Sequence, residues 1–139
     1  MPIIFWGQQR PVVNYTTHNG LSQIQVRAIF QDSRGYIWAG TKSGLVCYNG
    51  IKFTTFLPNK SIVKIGEYKN GDIIIRTLNR LYRYDGKLMY QVFESMQPFT
   101  FTLAQNDLWV SCPPNLKLCK SDTIFQTFIE GKGLPEGGI

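Results

Sequence analysis

The chain has 139 residues, of which 43% are hydrophobic, 14% aromatic and 17% charged, with a formal net charge of +6. This composition is sufficient to bury a core, and no window of about 18 apolar residues is present, which excludes a membrane-spanning helix. The opening segment, residues 1–6, is short and lacks a basic start, so the sequence contains no clear signal peptide.

The positive charge is scattered along the chain instead of clustered. Lysine and arginine residues occur from Arg10 to Lys132. The densest group consists of Arg76, Arg80, Arg83 and Lys87. Nucleic-acid binding requires a basic patch or a recognisable motif, and neither a glycine-rich phosphate loop nor an aromatic–basic RNA motif occurs. We therefore expect no nucleic-acid partner and only ordinary electrostatic attraction for anions.

Four short strand patterns follow one another in the first third of the chain. They cover residues 26–30, 36–39, 45–48 and 52–56. Asp32 and Gly35 close the first turn through side-chain hydrogen bonding and a permitted positive φ, and Asn49-Gly50 is a strong hairpin signal. No segment shows the period of about 3.6 residues that is typical of a helix. The unit is therefore predicted to be a four-stranded antiparallel meander.

The same plan recurs twice at a nearly constant spacing. Gly35 aligns with Gly71 (71 − 35 = 36), and Ile74 aligns with Trp109 (109 − 74 = 35). The repeat positions are Gly35, Trp38, Thr41, Leu45 and Tyr48, then Ile74, Leu81 and Tyr84, then Trp109 and Leu116. Such a period marks stacked units, and repeated four-stranded meanders are propeller blades. A sandwich or barrel has no reason to keep this offset. The fold prediction is all-β, a partial β-propeller of about three four-stranded antiparallel blades.

The predicted blades divide the single domain, residues 1–139, into five segments. These are an N-terminal strand and entry loop (1–22), three blades (23–57, 58–94 and 95–130) and the start of a truncated fourth blade (131–139). Propellers close with about four to eight blades. We therefore expect a propeller fragment, natural or from an incomplete gene, that pairs with remaining blades or self-associates through uncovered blade edges.

The first repeat resembles a known family, the two-component regulator propeller repeat. The resemblance rests on Gly20-Leu21, on residues 31–41 (Gln-Asp-Ser-Arg-Gly-Tyr-Ile-Trp-Ala-Gly-Thr), on Gly44-Leu45 and on Tyr48-Asn49-Gly50. The later copies depart from it, with Ile74 and Arg76 in the second and Ser111-Cys112 in the third. The resemblance implies a periplasmic sensor of a membrane-bound hybrid histidine kinase, common in gut Bacteroidetes. It also implies a small-molecule or oligosaccharide ligand, often a glycan fragment, and signalling domains elsewhere in the parent chain.

Catalytic and metal-binding patterns are weak. The one histidine, His18, falls in a loop without an evident orienting partner, as a catalytic base needs. Five carboxylates fall in turns, where aspartate bonds the backbone: Asp32, Asp72, Asp85, Asp107 and Asp122. We expect no enzyme and no cofactor in this chain. The alternatives are a protein-interaction or scaffold propeller outside two-component signalling and, third, a propeller lyase or glycosidase.

The three cysteines do not form a metal signature. Cys47, Cys112 and Cys119 include no Cys-x-x-Cys pair and no partnered histidine. Their positions on predicted strands favour a role as small apolar fillers. A Cys112–Cys119 bridge stays open as an alternative, because an oxidising compartment permits it.

The candidate ligand face is predicted from propeller geometry. Loops between second and third strands (41–44, 77–80 and 112–115) share one face with the connections between blades. Their polar members give the candidate ligand-binding residues Lys42, Asn79, Arg80 and Asn115. Arg80 replaces the turn residue Gly44, and arginine forms forked hydrogen bonds with carboxylates such as those of an acidic sugar. Trp38 and Trp109, in mid-strand, are predicted to be blade-core residues instead of sugar-stacking platforms.

Overall fold

The protein consists almost entirely of short β-strands in a computed structural model. The structure describes residues 13–21, 25–104, 107–113, 115–119, 125–130 and 133–134. A 3-10 helix (Thr17–Asn19) precedes the strands. The strands are β1 (Val26–Gln31), β2 (Ile37–Thr41), β3 (Gly44–Tyr48), β4 (Phe53–Phe56), β5 (Ile62–Glu67), β6 (Ile73–Thr77), β7 (Arg80–Tyr84), β8 (Met89–Glu94), β9 (Thr100–Ala104), β10 (Asp107–Cys112), β11 (Asn115–Cys119), β12 (Phe125–Glu130) and β13 (Gly133–Leu134).

The strands form three sheets that follow chain order. Sheet 1 contains β1 to β4, sheet 2 contains β5 to β8, and sheet 3 contains β9 to β12 with the short β13 at its edge. Neighbouring strands are antiparallel, apart from the parallel pair of β12 and β13. The predicted all-β fold with three four-stranded antiparallel blades is confirmed. Across the described residues, no helix is long and apolar enough to cross a membrane.

Two apolar interfaces hold the sheets together. Between sheets 1 and 2 the core contains Trp38, Leu45, Cys47, Ile62, Ile65, Ile73, Ile75 and Tyr82. Between sheets 2 and 3 it contains Tyr68, Ile74, Leu81, Phe99, Phe101, Leu108, Val110 and Cys112. Successive residues of a strand point to opposite faces, so Ile73 and Ile75 pack on sheet 1 while Ile74 packs on sheet 3. The run Ile73-Ile74-Ile75 is therefore fully buried, at 0% exposure for each residue.

A close approach between sheets 1 and 2 depends on the absence of a side chain at Gly40. A Cβ atom at this position would lie 2.4 Å from Cγ2 and 2.7 Å from Cβ of Ile62. The repeat counterpart on sheet 2 is Arg76, whose guanidinium lies over the Phe99 ring at 4.9 Å from the centroid. The second interface therefore contains a bulky cation where the first has only a glycine.

Trp38, Ile74 and Trp109 occupy the same step of the pairing between second and third strands. Trp38 and Ile74 are buried, at 1% and 0% exposure. Trp109 is only half-buried, so the prediction that it is a core residue holds in part. Trp38 packs on sheet 2 and Ile74 on sheet 3, but no further sheet among the described residues covers the equivalent side of sheet 3.

The segment before the first strand packs against sheet 1 without forming a strand in residues 13–21. The Tyr15 ring lies 5.2 Å from the Tyr48 ring and 5.3 Å from the Phe53 ring, centroid to centroid. Gly20, with a φ of 111°, turns beside Phe53. Residues 1–12 of the predicted N-terminal strand and most of the predicted fourth-blade start, 131–139, lie outside the described residues.

Antiparallel pairing places the connections at two ends of the stack. The lower end carries the turns β1–β2, β3–β4, β5–β6 and β7–β8, and the upper end carries the turns β2–β3, β6–β7 and β10–β11. At the lower end Glu67 accepts hydrogen bonds from the backbone N–H and the hydroxyl of Ser33, at 2.9 and 2.5 Å. This contact joins the first turns of sheets 1 and 2.

Candidate functional site

Two clefts open at equivalent places on the lower end. The first cleft, of about 300 Å³, lies between sheets 1 and 2 and is lined by Arg34, Tyr36, Trp38, Cys47, Asn49, Thr54, Phe56, Tyr84 and Gly86. The second cleft, of about 420 Å³, is lined by Asn70, Asp72, Arg83, Asp85, Tyr90, Gln91 and Val92 of sheet 2. Six of these residues stand 36 positions after a lining residue of the first cleft, for example Arg83 after Cys47 (83 − 47 = 36). The two clefts are therefore repeat copies of one site.

Aromatic side chains fill the base of the first cleft. Trp38 lies 5.6 Å from Phe56 and 5.7 Å from Tyr84, and Phe56 lies 4.9 Å from Tyr84, all between ring centroids. The Trp38 indole N–H donates to Asp32 Oδ2 at 2.9 Å, which satisfies its one polar atom. Burial raises the pKa of the Cys47 thiol to about 11, and the nearby Asp32 adds to this rise. The base of the first cleft is therefore aromatic, and its thiol is inert.

The second cleft has lost this aromatic filling. The Trp38 position is Ile74, and the Tyr36 and Cys47 positions are Asp72 and Arg83. Shortening the central side chain leaves room, while the two new side chains bring opposite charges. The same repeat site is therefore larger in sheet 2 and contains a pair of opposite charges that the first copy lacks.

Asp72 and Arg83 form a buried ion pair at the base of the second cleft. Arg83 Nε donates to Asp72 Oδ2 at 2.5 Å, and the residues are 7% and 8% exposed, respectively. The guanidinium also lies over the Tyr68 ring, 4.9 Å from its centroid. A buried pair costs desolvation energy and is weak grounds for assuming a stabilising role. The first repeat has Tyr36 and Cys47 at these positions, so the second copy differs from the first by a buried ion pair.

The prediction that Asp72 bonds the backbone of its turn is wrong. Asn70 takes this role, because its Oδ1 accepts from the Asp72 N–H at 3.1 Å. In sheet 1 the equivalent turn is closed by Asp32, whose Oδ1 accepts from the N–H groups of Arg34 and Tyr36 at 3.0 and 2.9 Å. The Asp72 carboxylate is therefore directed to Arg83 and the cleft.

Asp85 lies at the open side of the second cleft and is held as an anion. The Tyr90 hydroxyl donates to Oδ2 at 2.7 Å, and the N–H groups of Leu88 and Lys87 donate to Oδ1 at 2.7 and 2.8 Å. These bonds, chiefly that from Tyr90, lower the pKa of Asp85 to about 2. The depressed pKa means that this carboxylate stabilises the fold above its unfolded-state pKa of about 3.9 and loses that contribution as the pH falls toward 2.

We expect the Tyr90→Phe substitution to raise the pKa of Asp85, because the hydroxyl makes the largest contribution to its depression. The pKa should stay below its usual range, since the two backbone N–H groups remain. Carboxyl-carbon NMR titration measures this directly. Tyr84→Phe is the control, because the Tyr84 hydroxyl donates to the Gly86 carbonyl and leaves Asp85 untouched. An equal pKa in wild type and Tyr90→Phe would contradict the assignment.

The four residues predicted to bind ligand lie at the upper end of successive sheets. Lys42 and Asn79 are exposed in the β2–β3 and β6–β7 turns, whereas Arg80 begins β7 and Asn115 begins β11, both half-buried. Arg80 Nε pairs with Glu94 Oε1 at 3.0 Å. Hydrogen bonds to Tyr82 and Glu94 raise the pKa of Arg80. The described clefts do not include these residues, and their role in binding stays a prediction.

The cysteine and histidine positions do not add a reactive centre in the described part of the chain. Cys112 is a free, buried thiol with its Sγ 3.3 Å from Ser95 Oγ, so the Cys112–Cys119 bridge is not formed. The pairing explains this, because Cys112 lies opposite Asn115 and not opposite Cys119. His18 is exposed in the 3-10 helix, where its backbone N–H donates to Thr16 Oγ1 at 3.3 Å. No cluster of metal-binding side chains occurs among the described residues.

Sequence reasoning missed Asp72 and Arg83 as a pair. It placed Asp72 in a turn and Arg83 in a loose basic group. The signal was present in the repeat alignment, because two neighbouring cleft positions acquire opposite charges in the same copy, where the first copy has Tyr36 and Cys47. Comparing copies position by position across paired strands would have found the pair.

Comparison with known proteins supports the family recognised from the sequence. Residues 20–43 match the family model described as the two component regulator propeller. These residues include the first turn, β2 and most of the pattern on which the resemblance rests. No curated protein matches the chain in sequence.

Solved structures with the same fold include extracellular domains of two-component and one-component systems as well as lyases. The extracellular domain assigned to the hybrid two component system BT3049 of B. thetaiotaomicron matches at 20% identity and a TM-score of 0.67, over 91% of this chain and 20% of that one. The extracellular domain assigned to the one component system BT4673 of the same organism matches at 20% identity and a TM-score of 0.66, over 85% of this chain and 18% of that one. A catalytically inactive virginiamycin B lyase from Staphylococcus aureus, solved with Quinupristin, matches at 16% identity and a TM-score of 0.61, over 81% of this chain and 42% of that one. The chain thus spans less than half of each protein.

Proposed function

We propose that this chain, which carries a repeat of the two component regulator propeller family, is part of an extracytoplasmic ligand-sensing propeller and binds its ligand in the second cleft. The ligand is a small molecule or oligosaccharide. The remaining blades and the signalling domains belong to the same parent protein. The family match at residues 20–43 and the likeness to two extracellular domains support this proposal.

One observation carries the location of the site. In the first copy of the repeat, Trp38, Phe56 and Tyr84 fill the base of a cleft of about 300 Å³, whereas the second copy has a cleft of about 420 Å³ with a buried ion pair at its base. Ligand sites are concave and combine apolar walls with a few well-placed polar groups. Val92, Tyr90 and the Asp72–Arg83 pair provide this combination at the second cleft.

We propose no catalytic role for the chain. The virginiamycin B lyase of the same fold is catalytically inactive when one of its histidines is replaced by alanine. The one histidine here, His18, is exposed before sheet 1 and does not line either described cleft. The described contacts also give His18 no carboxylate partner of the kind that orients a catalytic base.

The proposal is tested by titration calorimetry with a panel of cellotetraose, xylotetraose, mannotetraose, laminaritetraose and tetragalacturonate. For the tightest ligand, Asp85→Asn is expected to weaken binding by about 10-fold, as loss of a charged hydrogen-bond acceptor does. Arg80→Ala and Asn79→Ala, at the upper end, should leave the affinity within about twofold if the second cleft is the site. Arg80→Ala and Asn79→Ala should keep their unfolding free energy within about 0.5 kcal/mol. Asp85→Asn should lose the stabilisation that comes with its depressed pKa, so its affinity is measured where circular dichroism shows the variant to be folded.

The same titrations decide between the two ends of the stack. Weakened binding in Arg80→Ala and Asn79→Ala, with Asp85→Asn unchanged, would move the site to the loops predicted from sequence. Binding of no panel member would count against the sensor role and favour the alternative of a scaffold propeller.

A further inference from the structure

The charge of the second cleft differs in sign from that of the whole chain. Its lining contains two carboxylates, Asp72 and Asp85, and one guanidinium, Arg83. The chain as a whole carries a formal net charge of +6. Long-range attraction therefore favours anions in general, whereas the groups that touch a ligand in this cleft do not.

Asp72 presents an acceptor toward the cleft. Its Oδ2 accepts from Arg83 Nε, and its Oδ1 is the second acceptor of the same carboxylate. The residue is 8% exposed, so the remaining accessible surface of the carboxylate faces the cleft that it lines. An accessible carboxylate oxygen that lines a cleft can accept a further hydrogen bond. A donor on the ligand is the partner that fits, because an ionised carboxylate can only accept.

The other polar groups of the cleft combine donors with acceptors. Asn70 uses its Oδ1 to close the β5–β6 turn, which leaves its NH₂ group as a donor. Gln91 donates to Glu94 Oε2 at 3.4 Å, which leaves its amide oxygen as an acceptor. Asp85 stays ionised down to a pH of about 2. A hydroxyl group, which both donates and accepts, matches these neighbours better than a carboxylate does.

The charges are balanced when the adjoining groove is included. A smaller groove of about 220 Å³ continues from the second cleft and adds Ser33 and Arg34 to Asn70, Gly71, Asp72 and Asp85. Arg34 is held there by its Nη2 donating to the Gly71 carbonyl at 3.5 Å. Two cations and two carboxylates give no net charge, so a cationic ligand gains no overall attraction either.

Building on the proposed function, we infer that the second cleft selects an uncharged ligand rich in hydroxyl groups and discriminates against acidic ligands. This reverses the acidic-sugar preference predicted from Arg80, which is paired with Glu94 at the other end of the sheet.

The test uses ligands that share one skeleton and differ only in charge. Cellotetraose is the uncharged probe, its C6-oxidised form (a β-1,4-linked tetraglucuronate) is the acidic probe, and the β-1,4-linked glucosamine tetramer is the cationic probe. Titration calorimetry of the purified protein at low and moderate salt should give the highest affinity for cellotetraose. The acidic probe should bind at least about 10-fold more weakly, because its carboxylates meet Asp72 and Asp85 at close range in the cleft and gain no net attraction from the balanced surroundings.

Asp85→Asn provides the matched variant. It should reduce the ratio of the affinity for cellotetraose to the affinity for the acidic probe, since one of the two carboxylates that repel the acidic probe, Asp72 and Asp85, is removed. An acidic probe that binds as tightly as cellotetraose and loses affinity in Asp85→Asn would overturn the selectivity but leave the cleft as the sensing site. Binding of none of the three probes, while another panel member binds with sensitivity to Asp85→Asn, would likewise overturn the selectivity alone. Binding that depends on Arg80 instead of Asp85 would overturn both proposals.

Discussion

Replacing Trp38 with alanine is expected to lower the free energy of unfolding by about 3–5 kcal/mol. Trp38 is 1% exposed and contacts Phe56 and Tyr84 across the first interface, so the substitution leaves a cavity between two sheets. It also removes the indole donor from Asp32 Oδ2, a buried acceptor. Chemical denaturation followed by circular dichroism measures this loss.

Trp109 supplies the matched control, because it occupies the same step of its sheet but is half-buried. Trp109→Ala should cost less than half as much as Trp38→Ala, since less surface returns to water. Trp38→Phe separates the two effects, because it keeps most of the packing and loses only the hydrogen bond, worth about 1–3 kcal/mol at a buried group. Equal losses for Trp38→Ala and Trp109→Ala would contradict the arrangement of the sheets.

Removing Arg83 alone is expected to destabilise the protein by about 3–5 kcal/mol, because Arg83→Cys leaves the Asp72 carboxylate buried without its partner. The double variant Asp72→Tyr with Arg83→Cys restores the residue types of the first repeat, Tyr36 and Cys47. Replacing both members of a buried pair is often neutral, so the double variant should recover most of the loss. Urea denaturation of the two single variants and the double variant measures the coupling.

Arg80→Leu is the control for the pair, since Arg80 and Glu94 have side-chain exposures of 32% and 45%. An exposed pair contributes about 0–1 kcal/mol, so this variant should be nearly as stable as the wild type. A loss as large as that of Arg83→Cys, or a double variant no better than Arg83→Cys, would show that the buried pair is not the cause.

Strand positions were predictable because the signals are local. The four strand patterns in residues 26–56 differ from the observed β1 to β4 by at most two residues at either end. Asp32 and Gly35 form the predicted turn. Gly35 has a φ of 86°, and the Asp32 carboxylate accepts hydrogen bonds from two backbone N–H groups. The constant offset then transferred this register to the other copies.

The candidate site was not predictable in the same way because it is made by pairing across strands and by space left between sheets. Asp72 and Arg83 are 11 residues apart and meet because Ile74 pairs with Arg83. Arg80 looked available from its turn position, but strand pairing sets it opposite Glu94. The half-burial of Trp109 likewise depends on what covers sheet 3, which a single repeat pattern does not contain.

The side chains of β6 alternate between the two interfaces, which bears on the order in which the sheets unfold. Ile73 and Ile75 belong to one interface and Ile74 to the other, so sheet 2 is the nearest neighbour of both outer units. In a linear array, stability is the sum of unit terms and nearest-neighbour couplings, and fraying begins where a coupling is weakest. The coupling between sheets 2 and 3 contains Arg76 with a buried Nε that has no hydrogen-bond partner among the described residues, which weakens it. We therefore expect fraying of the stack to begin between sheets 2 and 3.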